Sequence, residues 1–214
     1  MSILNPKVAR KIASLFLDIG AINFNPNHPY IWASGWKSPI YCDGRLALSY
    51  PVVRDYIKEA LSKKVKEHFS QTEAIVGVAT AGIPQGVLVA DALGLPFMYV
   101  RSKAKDHGME NLIEGKIDKG SRVVLIEDLV STGGSVLKAA AALDLAGYEV
   151  EGVVAIFTYG FDIAQEKFDK ANIPFYVLSN YDVLLQEAVA RKLISAVDLA
   201  SLQAWRKSPE QWYK

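Results

Sequence analysis

The chain has few of the features that send a protein out of the cell or into a membrane. Cys42 is the only cysteine among 214 residues, which excludes an intramolecular disulfide and fits a reducing compartment. It stands between Tyr41 and Asp43 in a strand-like run, where a carboxylate neighbour raises a thiol pKa, so a nucleophilic role is not expected. No apolar run approaches the length of about 20 residues needed to span a bilayer. The opening segment MSILNPKVARKIASLFLDIG is interrupted by Lys7, Arg10 and Lys11 and has no small-residue cleavage site, so it does not read as a signal peptide. A cytoplasmic location is expected. The net charge of +1 gives no reason to expect a nucleic-acid or membrane surface. A GxxxxGK[ST] loop and a GxGxxG turn are both missing, which excludes a Walker A site and the dinucleotide fingerprint. Nor do His, Cys, Asp and Glu cluster at the spacing of a protein-held metal. Without repeats, low-complexity stretches or a linker, residues 1–214 are expected to form one domain.

What is present is a regular alternation. Val8, Ile12, Leu15, Phe16 and Ile19 recur at helical spacing between Asn5-Pro6 and Gly20, predicting a helix over 6–19. A second helical pattern follows Ser49. Short apolar runs then appear at AIVGVA (74–79), PFMYV (96–100), RVVLIE (122–127), EVEGVVAIFT (149–158) and PFYVLS (174–179). Helical stretches separate most of them, which predicts an α/β fold with a central, mostly parallel sheet flanked by helices. Residues 101–121 break the rhythm. So long a charged loop is usually functional, and Arg101, Lys103, Lys105 and His107 gather just past the carboxyl end of a strand, where open α/β sheets bind ligands.

The stretch RVVLIEDLVSTGGS (122–135) carries the sharpest signal. It turns from aliphatic to acidic, then to small and hydroxylated. With VVLIE as a strand and GSVLKAAAALDLAG as the next helix, the turn from Asp128 to Gly134 is placed at the carboxyl edge of the sheet and at a helix N-terminus. Free backbone N–H groups and the helix dipole attract an anion there. Ser131, Thr132 and Ser135 add hydroxyl donors, and Gly133 and Gly134 let backbone wrap closely. Glu127 and Asp128 would repel that anion at contact distance, but they suit a vicinal pair of sugar hydroxyls. A phosphorylated pentose satisfies both halves. The plain structural reading, a solvated strand end and a capped helix, stands beside it.

That stretch resembles the phosphoribosyl-pyrophosphate (PRPP) signature of the type I phosphoribosyltransferases. WASGWKSPIYCDGR (32–45) and VRSKAKDHGMENLIEG (100–115) are similar to the N-terminal and mobile-loop motifs of the orotate-using branch. The three occur in the expected order across nearly the whole chain. The resemblance implies the type I fold, with a small hood from residues 1–48 and the C-terminal part, and a mobile loop at 101–121. It also implies transfer of the 5-phosphoribosyl group from PRPP to orotate, giving orotidine 5′-monophosphate and pyrophosphate in pyrimidine synthesis. A purine-type transferase and a non-catalytic PRPP-binding regulator are the alternatives; the second would need a basic nucleic-acid-binding segment, and none is present.

Carried onto this chain, the resemblance assigns the 5-phosphate to Ser131, Thr132, Gly133, Gly134 and Ser135, with Leu129 and Val130 leading into the turn. Glu127 and Asp128 take the ribose hydroxyls, Glu127 standing where an aspartate is more common. Thr80 and Ala81, in VGVATAGIP, fall in the pyrophosphate loop, where some relatives have a lysine at Ala81. Arg101, Lys105 and His107 reach pyrophosphate, often in the partner subunit of a homodimer, and with Asp128 form the catalytic set. Ser102 replaces a second basic residue, beside Lys103. For orotate the expected contacts are Arg45 or Lys37 with Ser131, supported by backbone near Tyr41 and Cys42. The lysine some relatives place at Ala33, and an arginine others place after the fourth strand, are missing. Magnesium is expected to arrive with PRPP and to be held mainly by substrate oxygens. The crowded aromatics Tyr30, Trp32, Trp36 and Tyr41 stand near the expected base site, as packing or as a stacking surface, while Trp205 and Trp212 are expected to be packing anchors.

Overall fold

The computed structural model describes residues 5–32, 35–103 and 112–212. Helix α1 (Pro6–Asp18) forms as its periodicity predicts. The Asn5 side chain accepts the N–H groups of Lys7 and Val8, and Ala9, Ile12, Ala13, Leu15 and Phe16 make one buried stripe. Two short antiparallel pairs follow. β1 (Ile22–Phe24) pairs with β4 (Ile40–Cys42), and β2 (Tyr30–Ile31) pairs with β3 (Lys37–Ser38). A 3-10 helix, Gly44–Ser49, then leads into α2 (Pro51–His68).

The remaining elements are β5 (Ala74–Val78), α3 (Gly82–Leu93), β6 (Phe97–Val100), β7 (Ile113–Glu114), β8 (Arg122–Val130), α4 (Gly134–Leu145), β9 (Glu149–Thr158), α5 (Asp162–Ala171), β10 (Phe175–Asn180), α6 (Tyr181–Ala190) and α7 (Ala196–Lys207). One six-stranded sheet runs in the order β10-β9-β8-β5-β6-β7, parallel throughout except for β7. Apolar side chains cover both of its faces. One core contains Val124, Ile126 and Ile156 with residues of α1, α2, α6 and α7; the other contains Val123, Leu125 and Val153 with residues of α4 and α5. Burial on both faces explains why these strands read as continuous apolar runs.

Two expectations need correction. The third predicted strand ends at Glu127, but β8 continues to Val130. The apolar run of β9 extends alongside it, so Glu127, Leu129 and Val130 stay in register with Ala155, Phe157 and Thr158. Ladder bonding thus overrides the local acidity, and the turn proper begins at Ser131 rather than Asp128. Residues 101–121 are also not loop throughout. Ile113 and Glu114 return as β7 against Val100 and Tyr99, closing the sheet with one antiparallel edge.

Candidate active site

The strand order reverses between β5 and β8. From β5 the chain crosses through α3 to β6 on one side, and from β8 it crosses through α4 to β9 on the other. Their two loops diverge at this switch point and leave a crevice beyond the carboxyl ends of the strands. A cleft of ≈330 Å³ lies there, lined by Ala79, Thr80, Ala81, Glu127, Asp128, Leu129 and Ser135, with Cys42, Asp43 and Arg45 on the hood side.

Both helices that start at this crevice do so without a capping side chain, α3 after Ala81 and α4 after Gly133. No side chain occupies their first-turn N–H groups, and apart from the Ile83 N–H, which reaches the Thr80 carbonyl at 3.3 Å, they can face an anion. Elsewhere Asn5, Asn180 and Ser195 cap α1, α6 and α7, while α2 and α5, away from the crevice, also start without a capping side chain. Gly133 holds φ at +76°, a left-handed conformation that bends Ser131–Gly133 back over the start of α4. Gly82 allows the other helix to approach. A Cβ there would lie 2.4 Å from the carbonyl oxygen of Ile126, so only glycine brings the first turn of α3 against β8.

The acid pair is asymmetric. Glu127 is 5% exposed, and its Oε1 accepts the Asp128 N–H at 3.0 Å. Burial, and then the neighbouring Asp128 carboxylate, push the Glu127 carboxyl well above the usual range. Asp128 is half-buried and its Oδ1 accepts the Leu129 N–H at 2.8 Å. Its other oxygen is 3.7 Å from where a Cβ on Gly44 would stand, so the missing side chain at Gly44 keeps the space beside it open.

Among the hood residues, Arg45 faces the cleft but is engaged. Its Nε donates to Asp43 Oδ1 at 2.6 Å and its Nη2 to Asp43 Oδ2 at 2.8 Å. This two-pronged bond holds the Asp43 carboxyl below its ordinary value and the guanidinium above its own. Asp43 is a cleft residue that sequence reading passed over. Its signal was the acid two positions before an arginine across a glycine. Burial, then Asp128, then Asp43, push the Cys42 thiol upward, so it is no thiolate at neutral pH.

The cleft brings together Thr80, Ala81, Glu127, Asp128, Leu129, Ser135 and Arg45 from the expected set. Lys37, Val130, Ser131, Thr132, Gly133 and Gly134 are not in its lining. Lys37 lies in β3, and its carbonyl accepts the Trp205 indole N–H. Arg101 stands at the end of β6 with Nη1 3.6 Å from Glu114 Oε1. Lys105 and His107, and Ala33, lie outside the described residues. The aromatics are mostly committed to packing. Trp32 lies 5.0 Å from Tyr159 and 5.5 Å from Trp205, and Trp36 lies 6.1 Å from Phe161. Tyr41 stays exposed at the hood surface, 5.5 Å from Tyr30. Among the described residues no group of three or more His, Cys, Asp or Glu is placed to hold a metal ion, and no helix is long and apolar enough to cross a membrane.

Two helix starts without capping side chains stand beside adjacent acids at the sheet's switch point, and the comparisons identify the family. The profile described as the phosphoribosyl transferase domain matches residues 50–182, and the chain belongs to that family. Within it, the chain is 52% identical over 205 residues to the orotate phosphoribosyltransferase of Cytophaga hutchinsonii, covering 96% of this chain and 98% of that one. It is 54% identical over 205 residues to the enzyme of the same name from Bacillus subtilis, covering 95% of each. In structure it is similar to the orotate phosphoribosyltransferase of Aeropyrum pernix, with a TM-score of 0.75 and 26% identity over 84% of this chain and 98% of that one. It therefore belongs to the orotate phosphoribosyltransferase branch.

Proposed function

We infer that the enzyme transfers the 5-phosphoribosyl group of PRPP to orotate, releasing pyrophosphate and forming orotidine 5′-monophosphate for pyrimidine synthesis. The observation that carries this reading is the pair of uncapped helix starts flanking an acid pair at the switch point. In the proposed arrangement the 5-phosphate takes the N–H groups and hydroxyls of Ser131–Ser135. Asp128 and Glu127 accept from the ribose hydroxyls, and pyrophosphate lies over Thr80 and Ala81. Arg101, Lys105 and His107 complete the pyrophosphate contacts.

Anchoring both ends of PRPP aligns carbon 1 between the departing pyrophosphate and orotate N1, which is where an oxocarbenium-like transition state needs help most. Cations and N–H dipoles aimed at pyrophosphate neutralise the charge that develops on it. Excluding water protects the same carbon from hydrolysis. The orotate ring enters from the hood, beside backbone at Tyr41 and Cys42. Arg45 is proposed as the partner for the orotate carboxylate, its engagement with Asp43 opening when a second carboxylate competes; Lys37 is the other cation of this segment.

Magnesium is proposed to enter with PRPP. The donors at the cleft suit it: carboxylate oxygens of Asp128 stand at the mouth, while the cation keeps mainly substrate oxygens and water around it. When bound it supplies charge neutralisation of pyrophosphate. The working form is proposed to be a cytoplasmic homodimer in which residues 101–121 of one chain serve the site of the other. Leu46, Tyr50 and Val52, exposed where the 3-10 helix meets α2, are apolar side chains that a second copy would cover.

The test is direct. Purified enzyme with magnesium should consume orotate, followed by its ultraviolet absorbance, only when PRPP is present; adenine and hypoxanthine in its place should not react. An unchanged orotate signal with PRPP would remove the assignment.

A further inference from the structure

Two consecutive residues of α7 hold three backbone carbonyls on segments more than a hundred residues apart in sequence. The fully buried Trp205 donates its indole N–H to the carbonyl of Lys37 in β3 at 3.0 Å. Arg206 donates from Nε to the carbonyl of Tyr159 at 3.3 Å and from Nη2 to that of Gly160 at 3.2 Å. Asp182 stands 3.7 Å from the same Nη2 and helps orient it.

The turn that Arg206 grips is bonded in turn to the end of β8. Thr158 Oγ1 donates to the carbonyl of Val130 at 2.8 Å and accepts the Gly160 N–H at 3.1 Å. The Tyr159 N–H reaches the same Val130 carbonyl at 3.4 Å. Val130 is the last residue before the phosphate turn. Packing reinforces the path, because the Trp205 ring meets Trp32 and Tyr159 at 5.5 Å and Phe161 at 5.3 Å, mostly edge to face. A continuous chain of bonds therefore runs from the hood hairpin, through α7, to the strand end that presents the sugar site.

Neither Trp205 nor Arg206 lines the cleft. Both also lie beyond residues 50–182, the span matched as the shared phosphoribosyl transferase domain. PRPP is bound by loops after β5 and β8, which are held by the sheet itself. The base side belongs to the hood, whose two-stranded pairs are too small to hold their own position. A misplacement of about 1 Å between two reacting partners costs on the order of a hundredfold in rate.

Resting on the orotate reading above, we propose that Trp205 and Arg206 are positioning residues: α7 sets the hood over the end of β8 and so determines orotate affinity, while the PRPP site stands without it. The test uses Trp205→Phe, which removes the N–H but keeps an aromatic ring, with Arg206→Ala and Arg206→Lys. Trp205→Phe and Arg206→Ala should each raise the orotate KM by about tenfold, the effect of losing part-buried hydrogen bonds worth about 1.4 kcal/mol in all. PRPP affinity, measured by calorimetry without orotate, should stay within about twofold, since the path meets that side only at the Val130 carbonyl, where the β8–β9 ladder already holds the strand. Arg206→Lys should recover part of the orotate KM, because an ammonium still reaches one carbonyl. Thermal melts identify any variant that fails to fold; Arg206, with 31% of its side chain exposed, carries the test if Trp205→Phe does not fold. An unchanged orotate KM in a folded Arg206→Ala enzyme would overturn the proposal, as would PRPP affinity falling in step with orotate. A wild-type enzyme inactive on orotate would instead count against the reading on which the proposal rests.

Discussion

Glu127 and Asp128 are adjacent carboxylates in opposite surroundings, and the contrast has a measurable sign. Glu127 is buried in the strand ladder and its carboxyl titrates well above the usual range. The folded chain therefore keeps a proton that the unfolded chain gives up, so stability is greatest below the ordinary glutamate pKa and falls as pH rises toward the folded value. Glu127→Gln removes that penalty. Its melting temperature should exceed the wild type's at about pH 8, and the gap should close near pH 4, where the ordinary side chain is protonated in both states. On the proposed ribose role of Glu127, activity should fall in the same variant, because an amide oxygen is a weaker acceptor than a carboxylate for a ribose hydroxyl. Stability gained where activity is lost is the mark of a residue kept for function. Melts of both proteins across that range decide the point, and parallel curves would show that the buried acid carries no such cost.

Among the elements, the junction of β5, α3 and β8 has little room for change. Gly77, Gly82 and Gly86 bring strand and helix together so closely that a Cβ would meet Ile83 Cα at 2.8 Å, Ile126 O at 2.4 Å and the Phe97 ring at 2.7 Å respectively. At Gly82 the obstacle is backbone, which cannot swing away as a side chain can. Gly82→Ala should cost about 1–3 kcal/mol in urea unfolding, as overpacking does. It should also weaken PRPP binding, because the first turn of α3 is pushed away from the crevice. An alanine variant with wild-type stability and PRPP affinity would mean the contact relaxes freely. The pattern TAGIPQG marked a turn and a helix in the sequence, but the closeness of that helix to a strand forty residues later was not legible there.

For the whole molecule, the proposed dimer makes one demand on the sites. Under the proposed roles, Lys105→Ala should disable the loop and Asp128→Asn the crevice. If loop and crevice come from different chains, mixing the two inactive proteins lets mixed dimers form one site with neither lesion. Activity should then return to about a quarter of the wild type, half of the dimers being mixed and each holding one intact site of two. No recovery after subunit exchange, confirmed by sedimentation, would place each loop on its own chain's site.

The sequence by itself determined most of the elements around the sheet and suggested a chemistry for the turn. Alternating apolar runs and helical patterns located α1, α2 and the parallel strands, because burial on one stripe or two faces leaves a periodic trace. EDLVSTGGS carried the resemblance on which the proposed sugar-phosphate site rests, because acid, hydroxyl and glycine fall at fixed spacing along one segment. Only the tertiary structure decided where β8 ends, since Glu127 and Asp128 stay in the ladder through pairing with β9. It alone folded Ile113–Glu114 back as an edge strand and joined Lys37, Trp205 and Gly160 through α7. The physical reason is common to all three. Each depends on partners that a neighbouring strand, turn or helix supplies, and a backbone carbonyl offers no residue-specific signal of which distant side chain will reach it.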